Sequence, residues 1–379
     1  MAVNTEQRSI PDDITIQIFS WLPVTSLMRY RCVSKFYNTI VLEPNFVDLH
    51  SSNYCKINRG DTKLITCING VCYSIEKHDE DGKATKFYQI ENFSKLYNHI
   101  NISYNYRLYF DYDNGLFCIW DMQNIAISNP STGEVRCLPY LKCFDVSGEK
   151  FICSIGFEPE DKKYKVVLTI NSQGGLSRAW VFTLGIDTSW REMIKYNEFV
   201  YDISPCSFGI CISGIIYRFS QSPDFIVVFD VKSENFTSIT TSIEFSNGLH
   251  ESGYYEDYML IDANGKLGIL KFPPFRRTEY IHLWIFKEEW EHQLFQFPLE
   301  WKHEDIYLST KKICKYGGEE IVFAINMTSS DVFVYFFYHV KNKSWRYLEV
   351  QEFPYWVENI FTYSETLFPL KNIGLPTII

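Results

Sequence analysis

A hairpin pattern recurs along most of this chain at a spacing near fifty residues, and that spacing leaves few folds open. Each copy is an apolar strand, a polar turn and a second strand carrying an aromatic or apolar anchor. The clear copies are Ile125–Pro139, Val181–Met193, Val227–Ile239, His282–Leu294 and Phe336–Val350, with a weaker one at Val71–Ile90. Taking the turns at Gly82, Thr132, Asp187, Lys232, Glu288 and Lys341, the separations are 50, 55, 45, 56 and 53 residues. A unit repeated at this period, with about four short strands in each, is the mark of a β-propeller. The copies predict six blades, with Trp190, Phe236, Trp290 and Trp345 at equivalent places between them. An irregular pair of β-sandwiches is the competing architecture. The aromatic share of 17% agrees with either, since aromatic residues favour sheet.

The first fifty residues follow another rule. In Ile10 to Val41, Ile14, Ile18 and Leu22 lie four apart and stack on one helical face. Ser9, Pro11 and Asp12 give a capping-box-like start, and Pro23 divides this helix from the next. Leu27, Met28 and Tyr30 suit a second short helix, and Val33, Tyr37, Ile40 and Val41 a third. So small a unit cannot turn Ile14, Ile18, Phe19, Trp21, Leu22, Val24, Leu27, Met28 and Tyr30 all inward. Part of that set is expected to form an exposed apolar face, the mark of a protein-binding surface. The chain then divides into a loose N-terminus (1–8), a helical module (9–50) and a β domain (51–379), an α+β chain overall. Glu43 to Ser52 reads as a connection broken by Pro44. With no Gly/Ser-rich linker, the module is expected to be held against the β domain.

The module resembles an F-box. The residues that carry the likeness are Pro11, Asp12, Asp13, Ile14, Ile18, Leu22, Pro23, Ser26, Leu27, Arg29, Arg31, Cys32, Val33, Ser34, Lys35 and Ile40. Ile10 stands where that family usually has Leu, and Tyr37 where it usually has Trp. The β domain resembles the F-box-associated, kelch-like domain of plant F-box proteins. Its markers are Gly115-Leu116, Asn129-Pro-Ser-Thr-Gly-Glu134, Leu138-Pro139, Gly156-Phe157, Tyr164 to Val167, Phe229-Asp230 with Phe236, and Leu283-Trp284-Ile285. The resemblance implies a substrate-recognition subunit of a Skp–cullin–F-box ubiquitin ligase, a non-catalytic adaptor. It would bind a Skp-type linker through Ile10, Pro11, Ile14, Ile18, Leu22, Pro23, Leu27, Arg31, Cys32, Val33 and Lys35, and through the linker a cullin. The alternatives are a propeller enzyme of glycan hydrolase type with a helical cap, and an F-box protein that acts without degradation.

The formal net charge of −10 argues against a general nucleic-acid binder. The 11 Cys are scattered singly with no C-x-x-C, which removes the zinc-ribbon and thioredoxin readings. No basic-then-apolar leader opens the sequence, and no apolar run reaches the ~18 residues of a membrane helix. Reduced thiols then suggest cytoplasm or nucleus. No nucleotide-binding, zincin or serine-hydrolase motif occurs, so neither cofactor nor metal is expected. His250-Glu251 and His303-Glu304-Asp305 lack a third ligand. Asp111 and Asp113 form a carboxylate pair, but Asp113-Asn114-Gly115 reads as turn chemistry. Longer connections at Gly174-Gly175, Ser246–Asp257 and Phe272–Thr278 interrupt the repeat. Among them Tyr254, Tyr255, Phe275, Arg276 and Arg277 are of types enriched at interface hot spots and are the candidates for target contact.

Overall fold

The structure, a computed structural model, describes residues 10–57, 63–68, 71–75, 87–89, 109–121, 124–141, 150–171, 178–193, 209–252, 258–271, 280–296, 311–316, 320–326, 332–351, 359–371 and 373. Four helices come first: α1 (Asp12–Phe19), α2 (Val24–Tyr30), α3 (Lys35–Leu42) and α4 (Pro44–Ile57). Pro11 and Pro23 occupy the N-cap positions of α1 and α2, and neither proline supplies a side-chain cap. The expected start at Ser9 lies outside the described residues. Asp12 and Asp13 in the first turn of α1 instead face the positive end of its dipole. Ser34 caps α3, its Oγ accepting from the Phe36 N–H at 3.2 Å. The fourth helix corrects the sequence reading, which took Glu43 to Ser52 as a connection. Pro44 is tolerated because it opens the helix, where its missing N–H costs nothing. Phe46 and His50, four apart, then bury one face of α4.

The β domain opens with β1 (Lys63–Ile68), β2 (Val71–Ile75) and β3 (Phe87–Gln89). A second sheet follows: β4 (Tyr109–Asp113), β5 (Leu116–Trp120), β6 (Ile125–Asn129) and β7 (Glu134–Cys137). The third is β8 (Lys150–Glu158), β9 (Lys163–Asn171), β10 (Arg178–Thr183) and β11 (Arg191–Glu192). The fourth is β12 (Ile210–Ile212), β13 (Ile215–Phe219), β14 (Phe225–Asp230) and β15 (Asn235–Thr240). Helix α5 (Ile243–Ser252) leads to the fifth: β16 (Tyr258–Asp262), β17 (Leu267–Lys271), β18 (Tyr280–Phe286) and β19 (Trp290–Gln296). The sixth is β20 (Lys311–Tyr316), β21 (Glu320–Asn326), β22 (Val332–His339) and β23 (Ser344–Gln351). Last, β24 (Asn359–Tyr363) returns to pair with β1 as the fourth strand of the first sheet.

All the described ladders are antiparallel and successive within a sheet, apart from that return. The first strands of neighbouring sheets pack in turn: β4 on β8, β8 on β12, β12 on β16, β16 on β20 and β20 on β24. Phe361 of β24 meets Tyr112 and Phe117 of the second sheet at 5.6 and 5.2 Å between centroids. The ring therefore closes on itself, which is a propeller and excludes the sandwich pair. Closure by the last strand ties the two ends of the domain together and leaves no open sheet at the seam.

The repeat's anchors explain the ring chemically. The indole N–H of Trp190 donates to the Pro139 carbonyl at 2.8 Å, that of Trp290 to Thr240 at 2.8 Å, and that of Trp345 to Gln296 at 3.0 Å. Each indole reaches back to the sheet before its own. Phe236, at the equivalent place, has no N–H and packs on Phe229 at 4.8 Å. Trp290→Phe keeps an aromatic ring but loses the bond and part of the packed indole, so it is expected to cost at least about 1 kcal/mol. Equilibrium urea unfolding would show this as a lower midpoint at unchanged slope.

The helical module is bound to this ring by the chain after β24. Leu367 is buried among Phe19, Val24, Leu27, Ile40, Val41 and Phe46. The Glu365 carboxylate accepts from the Val24 N–H at 2.8 Å, capping α2 from over three hundred residues away. An ion pair from Lys162 to Asp48 at 2.7 Å adds a second tie. The strap itself is seated on the second sheet. Asn129 Nδ2 donates to the carbonyls of Thr366 and Phe368, each at 3.0 Å. Glu134 accepts from the Leu370 N–H at 2.9 Å, and the Tyr112 hydroxyl accepts from the Ser364 N–H at 2.9 Å. Gly115 lies beneath it at φ +94°, where a Cβ would stand 2.6 Å from the Ser364 oxygen. Both the backbone and the strap require glycine there.

Candidate partner-docking face

The helical module buries one set of its apolar residues and leaves another bare. Phe19, Val24, Leu27, Ile40, Val41 and Phe46 make its core. Ile10, Ile14, Ile18, Trp21, Tyr30, Val33 and Phe36 remain exposed, from 39% for Phe36 to 73% for Val33. Ile14 and Ile18 fall one turn apart on α1, so they stand together on its outer face. Full burial of such side chains is worth about 1.5–3 kcal/mol each, so a row of them kept in water marks a surface meant to be covered.

Of the residues named from sequence, Ile10, Pro11, Ile14, Ile18, Pro23, Cys32, Val33 and Lys35 are exposed, and Leu22 and Arg31 are half-buried. Arg31 Nε donates to Asn38 Oδ1 at 3.0 Å, which joins the turn before α3 to α3 itself. Leu27 differs: it is fully enclosed, so its side chain holds the core and cannot touch a partner. Trp21, Tyr30 and Phe36 were not named for contact and are exposed. The surplus of apolar residues at helical spacing was the signal for them, but spacing alone does not rank faces of such short helices. Tyr37, in place of the usual Trp, packs against Phe19 at 4.9 Å and Tyr30 at 6.1 Å, and so serves as a core ring. Tyr254, Tyr255, Phe275, Arg276 and Arg277 lie outside the described residues, as do the 172–177 connection and His303-Glu304-Asp305.

The carboxylate pair in the ring does structural chemistry. Asp111 and Asp113 are on β4, and Asn114-Gly115 makes the expected turn into β5, both at positive φ. Asp111 accepts from the Ile155 N–H at 3.1 Å and Asp113 from the Phe157 N–H at 2.6 Å. They thus satisfy the free edge of β8 in the next sheet. Arg218 approaches Asp111 at 3.5 Å and also donates to Ser154 and to the Cys153 carbonyl. The cavity beside Arg218 and Ser154 is about 10 Å³, the size for one water and too small for a sugar ring. Burial pushes the Asp111 carboxyl up to about 6, against the pull of Arg218, and that of Asp113 up to about 7. A raised folded pKa means the native state holds the proton more tightly. Their contribution is therefore fully present below about pH 4 and is lost as pH rises through about 6 to 7. Asp113→Asn should flatten the fall of the urea midpoint over that window; an unchanged slope against pH would contradict this assignment.

Among the described residues no group of His, Cys, Asp and Glu is arranged to hold a metal, and no helix is long and apolar enough to cross a membrane. Cys32, Cys118, Cys137, Cys153 and Cys211 are free thiols.

The sequence of residues 71–371 matches the F-box associated beta propeller domain. The chain belongs to that family. Residues 8–47 match the F-box-like family, so this F-box protein carries its helical module in front of the propeller. Similar proteins of Arabidopsis thaliana include F-box protein At1g30790, 27% identical over 371 residues, covering 90% of each chain. F-box protein At5g65850 is 28% identical over 363 residues, covering 90% of this chain and 84% of that protein. F-box protein DOR is 27% identical over 378 residues, covering 90% and 88%. The matched F-box segment ends inside α4, which continues to Ile57.

Proposed function

We propose that this F-box protein is the substrate-recognition subunit of a Skp–cullin–F-box ubiquitin ligase. The observation that carries the reading is the bare row of Ile10, Ile14, Ile18, Val33 and Phe36 on a module whose core is already complete. A Skp-type linker would cover that row and bring a cullin with it. The propeller, with six blades built on the six sheets of the ring, would hold a target protein. The chain performs no bond chemistry in this reading. It acts by holding target lysines near the charged conjugating enzyme, at high effective concentration.

Topology supports a division of labour between the two ends of the ring. The strap and the helical module sit where β4 turns into β5 and β6 into β7, the end with the tight turns. Helix α5 and the connections between sheets leave from the opposite end. Long connections on a rigid scaffold commonly carry recognition. We place target contact there, with Tyr254, Tyr255, Phe275, Arg276 and Arg277 as the residues to test first, in the cytoplasm or nucleus.

The test is co-expression of the full chain with a Skp-type linker and a cullin. Recovery of all three in one complex supports the ligase reading. Recovery of the linker alone supports the F-box protein that acts without degradation. Recovery of neither overturns both.

A further inference from the structure

We propose that the seam between α5 and the fifth sheet is a binding site for a compact oxyanion, a carboxylate or phosphate group. One row of residues crosses that sheet at the end away from the helical module. Tyr258 of β16 stands opposite Lys271 of β17, Lys271 opposite His282 of β18, and His282 opposite Leu294 of β19. Cross-strand partners share a face, so hydroxyl, ammonium and imidazole line up side by side. Helix α5 covers the buried end of the row through Phe245, whose ring lies 5.0 Å from Tyr258 and 6.1 Å from Trp284.

Three observations make this row a site. Tyr258 is 3% exposed, yet its hydroxyl has no hydrogen-bond partner. A buried hydroxyl left unpaired is uncommon and calls for an explanation. Lys271 lies over the Tyr258 ring, its Nζ 5.1 Å from the centroid, and among the described residues it pairs with no carboxylate. Gly248 lets the backbone of α5 approach both groups. A Cβ built on it would stand 3.0 Å from the Tyr258 hydroxyl and 3.6 Å from Lys271 Nζ. Without a side chain there, the α5 backbone lies close to both groups, and glycine is otherwise costly inside a helix.

The chemistry selects the ligand. A hydroxyl donor and an ammonium converging on one turn of α5 favour a compact, negatively charged acceptor. Among the described side chains of α5, Glu244 is the opposing charge, and it is already engaged, 3.2 Å from His292 Nδ1. His292 Nε2 in turn lies 3.0 Å from His282 Nδ1, which fixes the imidazole beside Lys271. The site does not depend on linker docking, and the two ideas fail separately.

The experiment titrates the purified full chain with inorganic phosphate and, separately, with acetate, by calorimetry. The wild type is expected to bind at least one of the two, and which one identifies the group. Tyr258→Phe, Lys271→Met and Gly248→Ala are each expected to weaken binding about tenfold, the usual effect of losing one charge-assisted contact. Lys266→Met, in the exposed turn between β16 and β17, should leave binding unchanged. Tyr258→Phe removes only an unpaired hydroxyl, so its thermal midpoint should stay the same or rise, and its binding of a Skp-type linker should be unaffected. Absence of binding to both anions overturns the proposal, as does equal binding by the wild type and the three site variants.

Discussion

Asn129→Ala is expected to lower stability by about 3 kcal/mol, seen as a large fall in thermal midpoint with early loss of order in the helical module. Asn129 is fully buried and uses its whole amide. Its Nδ2 holds two strap carbonyls, and its Oδ1 accepts from the Ser131 N–H at 3.0 Å. Truncation leaves those strap carbonyls without their donor, and an unmade buried bond costs more than a made one contributes. The effect should spread, because Ser131 Oγ accepts from the Thr366 N–H at 3.0 Å in the same turn. Once the strap lifts, Leu367 leaves the core of the module and Glu365 leaves the start of α2. Limited proteolysis should then cut the variant near residues 10–57 while the ring stays intact. A variant that melts at the wild-type temperature with a protected module would show that the strap does not join the two parts.

Replacing Ile14 and Ile18 together by Asp is the second large effect, and it should act on binding alone. Both side chains are about half exposed, so two carboxylates there are solvated in the free chain and stability should change little. In a complex they would be buried without partners. Loss of two apolar contacts plus desolvation of two charges is expected to weaken a linker complex by at least about a hundredfold. Leu27→Asp is the contrasting control. It puts a charge at a fully buried position, so it should unfold the module outright and lose binding for a different reason. Circular dichroism separates the two.

Those two variants mark what could be read from the sequence and what could not. The repeat was legible because each hairpin carries its own turn chemistry and an aromatic anchor, and both are local. The anchors fall where expected because each indole N–H meets a carbonyl one repeat back, at offsets of 51, 50 and 49 residues in three sheets. The helical module was legible as an amphipathic unit, but Leu27 was assigned to the wrong side. In helices of seven or eight residues, the inner and outer faces differ by one position. Helices α4 and α5 were read as connections, since Pro44 and Gly248 look like breakers until their places in the helix are known. The turn at Asn114-Gly115 was legible, but the strand before it, β4, was not, because Asp111 and Asp113 are unusual strand residues. Only the neighbouring β8 edge shows why acidic residues sit in a strand there. The strap was not legible at all, since Glu365 and Leu367 act on residues far away in sequence. Yet Gly115, Asn129, Ser131 and Glu134, which carried the family likeness, all gather around it. Their spacing was visible in the sequence, and the strap gives the physical reason for it.

In the proposed ligase reading, the exposed apolar row of the helical module is the linker-binding face, presented by a module fixed to the ring. The most direct test is hydrogen–deuterium exchange of the full chain with and without a purified Skp-type linker. The predicted result is added protection confined to segments of residues 10–42 that carry Ile14, Ile18, Val33 and Phe36, with the strap at 364–371 already protected in the free chain. Absence of binding, or protection centred on the ring with the module unchanged, would contradict it.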